Sequence, residues 1–148
     1  MSLSYLPFFV NNPKIFGHQL ILDENDRVTS EEQKLLISAC DIGIGELPAI
    51  VRQYNGIAVP SHIDRPSNSL IANLGFIPPD IEFTCYEVKD NTRLPGLING
   101  NPALSRARII NNSDAHSLID IAERRHSITL RERDAAALIE ALATVALL

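Results

Sequence analysis

Four short apolar runs, at residues 57–60, 83–88, 108–111 and 126–130, alternate with segments that carry helix signals. This alternation constrains the fold more than any other feature. Strands separated by helices rejoin one sheet through crossover connections and so run mainly parallel. The expected class is α/β with a mainly parallel sheet. In such folds chemistry gathers in the loops at the C-terminal ends of strands, so the residues just after each run are the candidates to inspect.

The intervening segments have recognisable starts and stops. Pro48 is tolerable near the start of a helix over residues 44–54, and Asn55-Gly56 reads as its C-terminal cap. A short helix over 69–74 ends at Gly75, a helical turn covers 101–106, and another helix is expected over 118–123. Asp134 caps a last helix over 135–147, whose Ala135, Leu138, Ile139, Leu142, Val145 and Ala146 leave few polar positions. Upstream, residues 1–19 lack a period and read as an irregular arm, residues 20–22 as a strand, and Asp23, Asn25 and Asp26 as a turn. Thr29 with Glu32 forms a capping-box pattern that predicts a helix over 33–39. One domain is expected over residues 1–148.

Composition narrows the function classes. With 148 residues, 45% of them hydrophobic, the chain is long enough to bury a core without disulfides or metals. A net charge of −5 and a pI near 5.3 argue against a non-specific nucleic-acid surface, which needs clustered Lys and Arg. A small phosphorylated substrate stays open, since it needs only a few local cations. Cys40 and Cys85 lack CxxC spacing and lie in apolar surroundings, so both are expected as buried, reduced thiols of a cytosolic protein. No charged n-region followed by an apolar h-region opens the chain. The longest apolar run, 135–148, is interrupted by Glu140 and falls short of the about 20 residues a membrane span requires. A soluble, cytoplasmic protein is expected.

Two loops carry candidate chemistry. The first, Pro60-Ser61-His62-Ile63-Asp64-Arg65-Pro66, follows the run at 57–60 directly. A His at a strand end can offer a neutral imidazole to a metal, and Arg65 can present its guanidinium fork to phosphate oxygens. The alternative is a tight turn in which His62 bonds Asp64 or the backbone and Arg65 pairs with a carboxylate. The second, Ser113-Asp114-Ala115-His116, follows the run at 108–111 and combines a hard oxygen with a borderline nitrogen, a mix that suits Zn, Mn or Fe. Its alternative is a helix N-cap. Glu87 closes the run at 83–88 and is a candidate to orient a metal-bound imidazole, or else a plain surface carboxylate. His18 and His126 are read as structural. No GxSxG elbow, Walker loop or GxGxxG occurs, and a Ser61/His62/Asp64 triad fails because neighbours along a strand point to opposite faces.

Residues 57–67, then Leu74-Gly75-Phe76-Ile77-Pro78, then Ser113-Asp114-Ala115-His116, together resemble the C-terminal half of the PHP (polymerase and histidinol phosphatase) phosphoesterases. The closest likeness is to the group with an Ala-His-x-Asp-Arg-Pro loop, Ser61 standing where Ala is common. The resemblance implies a distorted seven-stranded β/α barrel, present here only in part and without its N-terminal strands. It further implies divalent metal ions at the strand ends, with His62, Asp114 and His116 as ligands and Arg65 toward the substrate phosphate. The family's opening His-x-His strand has no counterpart in this chain. The metal site is therefore expected to be incomplete, and the chain to be a truncated piece, a fragment of a larger gene product or a degenerate homologue. The implied function is the non-catalytic half of a metal-dependent phosphoesterase, inactive by itself. The alternative is a stand-alone binding or assembly module with vestigial ligands. Missing barrel strands would leave an open edge and an uncovered face, so a homodimer is expected.

Overall fold

The computed structural model describes residues 5–123 and 126–144. It divides into two compact units, Met1–Gly43 and Ile44–Leu148. The architecture is a small mixed α/β fold with two short sheets, one antiparallel and one parallel, and no closed barrel among the described residues.

In the first unit, residues 13–16 wind into a single turn, α1 (Pro13–Phe16), inside the segment expected to be irregular. Asn12 caps it, and Gly17 leaves it at φ 78, a left-handed conformation natural to glycine. β1 (Leu20–Leu22) then pairs antiparallel with β2 (Val28–Glu31), with a register shift between Ile21 and Leu22. The expected turn joins them: the Asp23 carboxylate accepts from the Asn25 and Arg27 amides at 2.8 and 2.9 Å. The helix expected over 33–39 does not form. Thr29 lies inside β2, where its hydroxyl donates to the Ile21 carbonyl at 3.0 Å. Glu32 accepts from the Lys34 amide at 2.8 Å instead of reaching back to cap a helix. The turn at Asp23 and the β-branched pair Val28-Thr29 close a hairpin, and strand pairing overrides the local capping pattern. The Gln19 side chain then bonds the Glu32 and Lys34 carbonyls and the Leu36 amide at 2.8–2.9 Å, holding the following chain extended.

The second unit carries the motifs. α2 (Leu47–Arg52) is shorter than the expected helix; Asn55 at φ 55 and the Gly56 amide on the Val51 carbonyl at 3.1 Å close it. A Cβ at Gly56 would meet Val51 Cγ1 at 2.8 Å and the Val51 carbonyl oxygen at 3.2 Å, so a larger residue here would have to displace Val51. The strand expected at residues 57–60 does not form, but the Glu87 amide bonds the Pro60 carbonyl at 3.0 Å and the Ile63 amide bonds the Glu87 carbonyl at 2.9 Å. β3 (Cys85–Glu87) thereby lies between that segment and β4 (Arg108–Ile110), with which it pairs in parallel. Cys85 and Tyr86 are both fully buried although they face opposite sides, as expected of a parallel strand covered on both faces. The core gathers Ile63, Ile77, Phe83, Tyr86, Val88 and Leu104, with Phe83 and Tyr86 edge to face at 5.8 Å.

Between β3 and β4 the chain forms a 3₁₀ turn (Asn91–Arg93) running into α4 (Leu94–Gly100), then a second 3₁₀ turn, Pro102–Ser105, where a helical turn was expected. α4 itself was not foreseen: Pro95, Gly96 and Gly100 hide its pattern, and the Asp90 carboxylate, accepting from the Thr92 amide at 3.0 Å, caps the 3₁₀ turn that precedes it. α3 (Leu70–Leu74) follows its signals, with Ser69 at the N-cap and Gly75 left-handed at φ 82. Two expectations fail downstream. The helix over 118–123 shrinks to one 3₁₀ turn, Leu118–Asp120, and residues 126–130 form no strand. Leu118 and Ile119 are almost fully exposed, so no burial supports a longer helix there. α5 (Ala135–Ala143) is capped by Asp134 as expected; Val145–Leu148 lie outside the described residues. Cys40 is exposed, not buried as expected, whereas Cys85 is fully buried. Among the described residues no helix is long and apolar enough to cross a membrane.

Candidate functional site

The two motif loops meet. His62 opens the first at φ 32, an uncommon conformation for a non-glycine residue. The Arg65 amide bonds the His62 carbonyl at 2.9 Å, closing a tight turn. Ile63, next to His62, is driven into the core at 1% exposure. Asp64 is buried as well, and its carboxylate accepts from the Lys89 and Asp90 amides, each at 2.9 Å. Its carbonyl accepts from Arg93 Nη1 at 2.7 Å. The loop is thus bolted to the chain leaving β3. Behind it the Ser69 hydroxyl donates to the Arg65 carbonyl at 2.8 Å and accepts from the Ala72 amide at 3.0 Å, joining the loop to α3.

The second loop leaves β4 beside the same point. The Asn111 side-chain amide donates to the Val88 and Lys89 carbonyls at 2.7 Å each, pinning the end of β4 to the end of β3. Asp114 then turns left-handed at φ 51. Its Oδ2 receives Arg65 Nη1 at 2.6 Å, with Lys89 Nζ at 4.0 Å from the same oxygen. Its Oδ1 faces His116 Nε2 at 3.5 Å. The Asp114 side chain is 18% exposed and that of His116 83%, so the pair sits at the mouth of the loop cluster.

The residues singled out from sequence therefore divide. Arg65, Asp114 and His116 converge, and Arg65 takes up the carboxylate pairing that its alternative reading described. His62 belongs to the adjoining turn, and its Nδ1 is buried without a hydrogen-bond partner among the described residues. Glu87 holds Pro60 and Ile63 through its backbone, and no hydrogen bond links its carboxylate to His62 or His116 among the described residues. His18 bonds Glu31 at 2.9 Å and His126 lies 3.2 Å from the Asn91 side-chain amide, in keeping with structural roles. Sequence reading passed over Lys89, Asn111 and the anchoring task of Asp64. Lys89 and Asn111 had a usable signal, since Lys89 directly follows the run at 83–88 and Asn111 closes the run at 108–111.

One carboxylate and two imidazoles have the donor chemistry of a divalent transition metal, and the orphaned His62 Nδ1 fits a ligand in search of a partner. The arrangement fits only in part: among the described residues no three His, Cys, Asp or Glu side chains are grouped to hold an ion. Beside the cluster lies an open cleft of about 650 Å³ lined by Lys89, Arg108, Asn111, Ser113 and His126, among others. Neither Asp114 nor His116 lines it, but Lys89 and Ser113 border both. No protein-family model, curated protein or solved structure matches this chain.

Proposed function

We propose that this chain contributes the C-terminal part of a PHP-type, metal-dependent phosphoesterase site within a partial β/α barrel. The observation that carries the reading is the meeting of the His62–Arg65 and Asp114–His116 loops beside the parallel pair β3–β4, joined through the Arg65–Asp114 ion pair. Asp114 and His116 would hold a divalent cation, with His62 the third donor after a rearrangement of its turn. The cation, when bound, polarises a phosphoryl oxygen and lowers the pKa of a bound water. Arg65 and Lys89 supply positive charge for phosphate oxygens at the edge of the cluster. A three-ligand set missing its partners binds weakly and turns over little.

The test is metal-dependent hydrolysis of p-nitrophenyl phosphate with Mn²⁺ or Zn²⁺. The 148-residue chain is expected at background. The product of the longest reading frame containing it is expected to turn over and to lose at least about 100-fold in His116→Ala. Turnover by the chain alone, abolished by His116→Ala, would overturn the half-site reading. A longer product that binds no metal would overturn the phosphoesterase itself. The homodimer that an uncovered barrel face calls for is supported by Leu118, Ile119 and Ile121, exposed at 88, 93 and 62%. Sedimentation at micromolar concentration tests it; a monomer would sink the homodimer and favour a second reading, a stand-alone binding module.

A further inference from the structure

The geometry points to a docking groove for an extended acidic peptide along the free edge of β4, with Arg108 taking a carboxylate of that peptide. The inference stands apart from the phosphoesterase reading. The cleft of about 650 Å³ follows this edge, bordered by six consecutive residues, 108–113. β3 covers the other side of β4. The Arg108 amide bonds the Thr84 carbonyl at 2.8 Å and the Ile110 carbonyl accepts from the Val88 amide at 2.9 Å, so both residues turn their backbone groups toward β3. Strand alternation turns the amide and carbonyl of Ile109 the other way, and no hydrogen bond ties them among the described residues. Unpaired groups of this kind are a template for one more strand.

Charge selects the occupant. Extending the β3–β4 register from Glu87 and Ile110 sets Lys89 level with Asn112, about 13 Å along the strand from Arg108. The two cations therefore stand at opposite ends, too far apart to grip one small anion. Lys89 Nζ lies 4.0 Å from the Asp114 carboxylate, and Asp120 and Glu123, from the chain that follows Asp114, also border the cleft. Arg108 has no such company: its Nε is buried without a hydrogen-bond partner, and no ion pair holds its guanidinium among the described residues. A guanidinium withdrawn from water without an anion is destabilising, and a carboxylate laid across its fork removes that penalty. An extended chain of about four residues spans the distance and brings both the carboxylate and the backbone partners that Ile109 lacks. Residues 126–128 and Leu138 and Leu142 of α5 wall the far side, so the slot suits a single extended chain better than a second folded copy.

The test titrates two tetrapeptides, acetyl-Glu-Val-Thr-Val-amide and acetyl-Val-Thr-Val-Glu-amide, into the isotope-labelled full chain, followed by NMR. Their reversed order covers both strand directions. Each has a counterpart with Gln for Glu and counterparts methylated at alternate backbone nitrogens, and acetate and inorganic phosphate serve as free anions. One acidic peptide is expected to shift the Ile109 amide and slow its hydrogen exchange. Gln in place of Glu should weaken it about tenfold, Arg108→Gln by a similar factor, and methylation in one of the two phases should abolish binding. Thermal melts identify folded Arg108→Gln; if it does not fold, the Glu-to-Gln change in the peptide carries the same test on the unaltered protein. No response at Ile109 to either acidic peptide at millimolar concentration would overturn the inference. So would equal binding of Glu and Gln peptides, which removes the Arg108 contact. Full binding by the methylated peptides, or the same response to acetate or phosphate alone, would make the cleft an anion pocket and overturn the strand groove.

Discussion

Asp64 anchors the candidate site, and its replacement by Ala is the most direct perturbation of it. The carboxylate is buried at 9% exposure and accepts two backbone N–H groups, from Lys89 and Asp90, each at 2.9 Å. Removing it leaves both amides without their acceptor at a part-buried position. An unsatisfied buried donor costs about 1–3 kcal/mol, and bonds to a charged acceptor lie at the upper end. Partial relaxation of the loop returns some of this, so the expected loss is about 3 kcal/mol, or roughly 10 °C in Tm for a chain of this size. Urea unfolding followed by circular dichroism measures it, with the denaturant slope unchanged. Asp64→Asn should lose less, since it keeps one acceptor and turns an amide NH₂ toward the other N–H. A loss below about 0.5 kcal/mol in Asp64→Ala would refute the reasoning, because it would mean that water already satisfies those amides.

Two further outcomes follow from the same geometry. Ser69→Ala removes both the N-cap of α3 and the hydroxyl bond to the Arg65 carbonyl, and should cost about 1–2 kcal/mol in the same assay. Burial pushes the Cys85 thiol up from 9.0 to about 11, with Glu87 adding to the rise and Arg108 opposing it. A group raised in the folded state stabilises fully below its unfolded pKa and loses that contribution as pH climbs through the folded one. Chemical denaturation between pH 8 and pH 11 should therefore show the parent losing about 2 kcal/mol more than Cys85→Ala; parallel pH profiles would contradict it.

How much of this was legible in the sequence depended on the distance over which each signal acts. Ser69 and Gly75 bracket α3, Asp134 starts α5, and Asp23 turns the β1–β2 hairpin, all through contacts within five residues. Such signals are read directly. Thr29 and Glu32 misled because a capping box is also a polar pair in a strand, and the Ile21 carbonyl that the Thr29 hydroxyl bonds lies eight residues away. α4 escaped notice because its own Pro and Gly residues disguise the helix and no side chain caps its start. The site divides the same way. That His62, Arg65, Asp114 and His116 occupy loops after apolar runs was visible. That Arg65 spends a donor on Asp114, 49 positions on, was open as a generic carboxylate pairing but had no named partner. The anchoring of Asp64 by amides 25 and 26 positions away had no sequence signal at all.

The left-handed residues tie these observations together. The described non-glycine residues with positive φ, Asp26, Asn55, His62, Asn68 and Asp114, are all of the types most often found there. Such a conformation costs of order 1–3 kcal/mol and persists only where the surroundings over-determine it. His62 meets that condition on both sides: its carbonyl is held by the Arg65 amide, and the next residue is fixed by the Glu87 carbonyl and by burial in the core. Asp114 meets it through Arg65. Both strained residues are thus flanked by the strongest fixings in the second unit, and both belong to the motifs that carry candidate ligands.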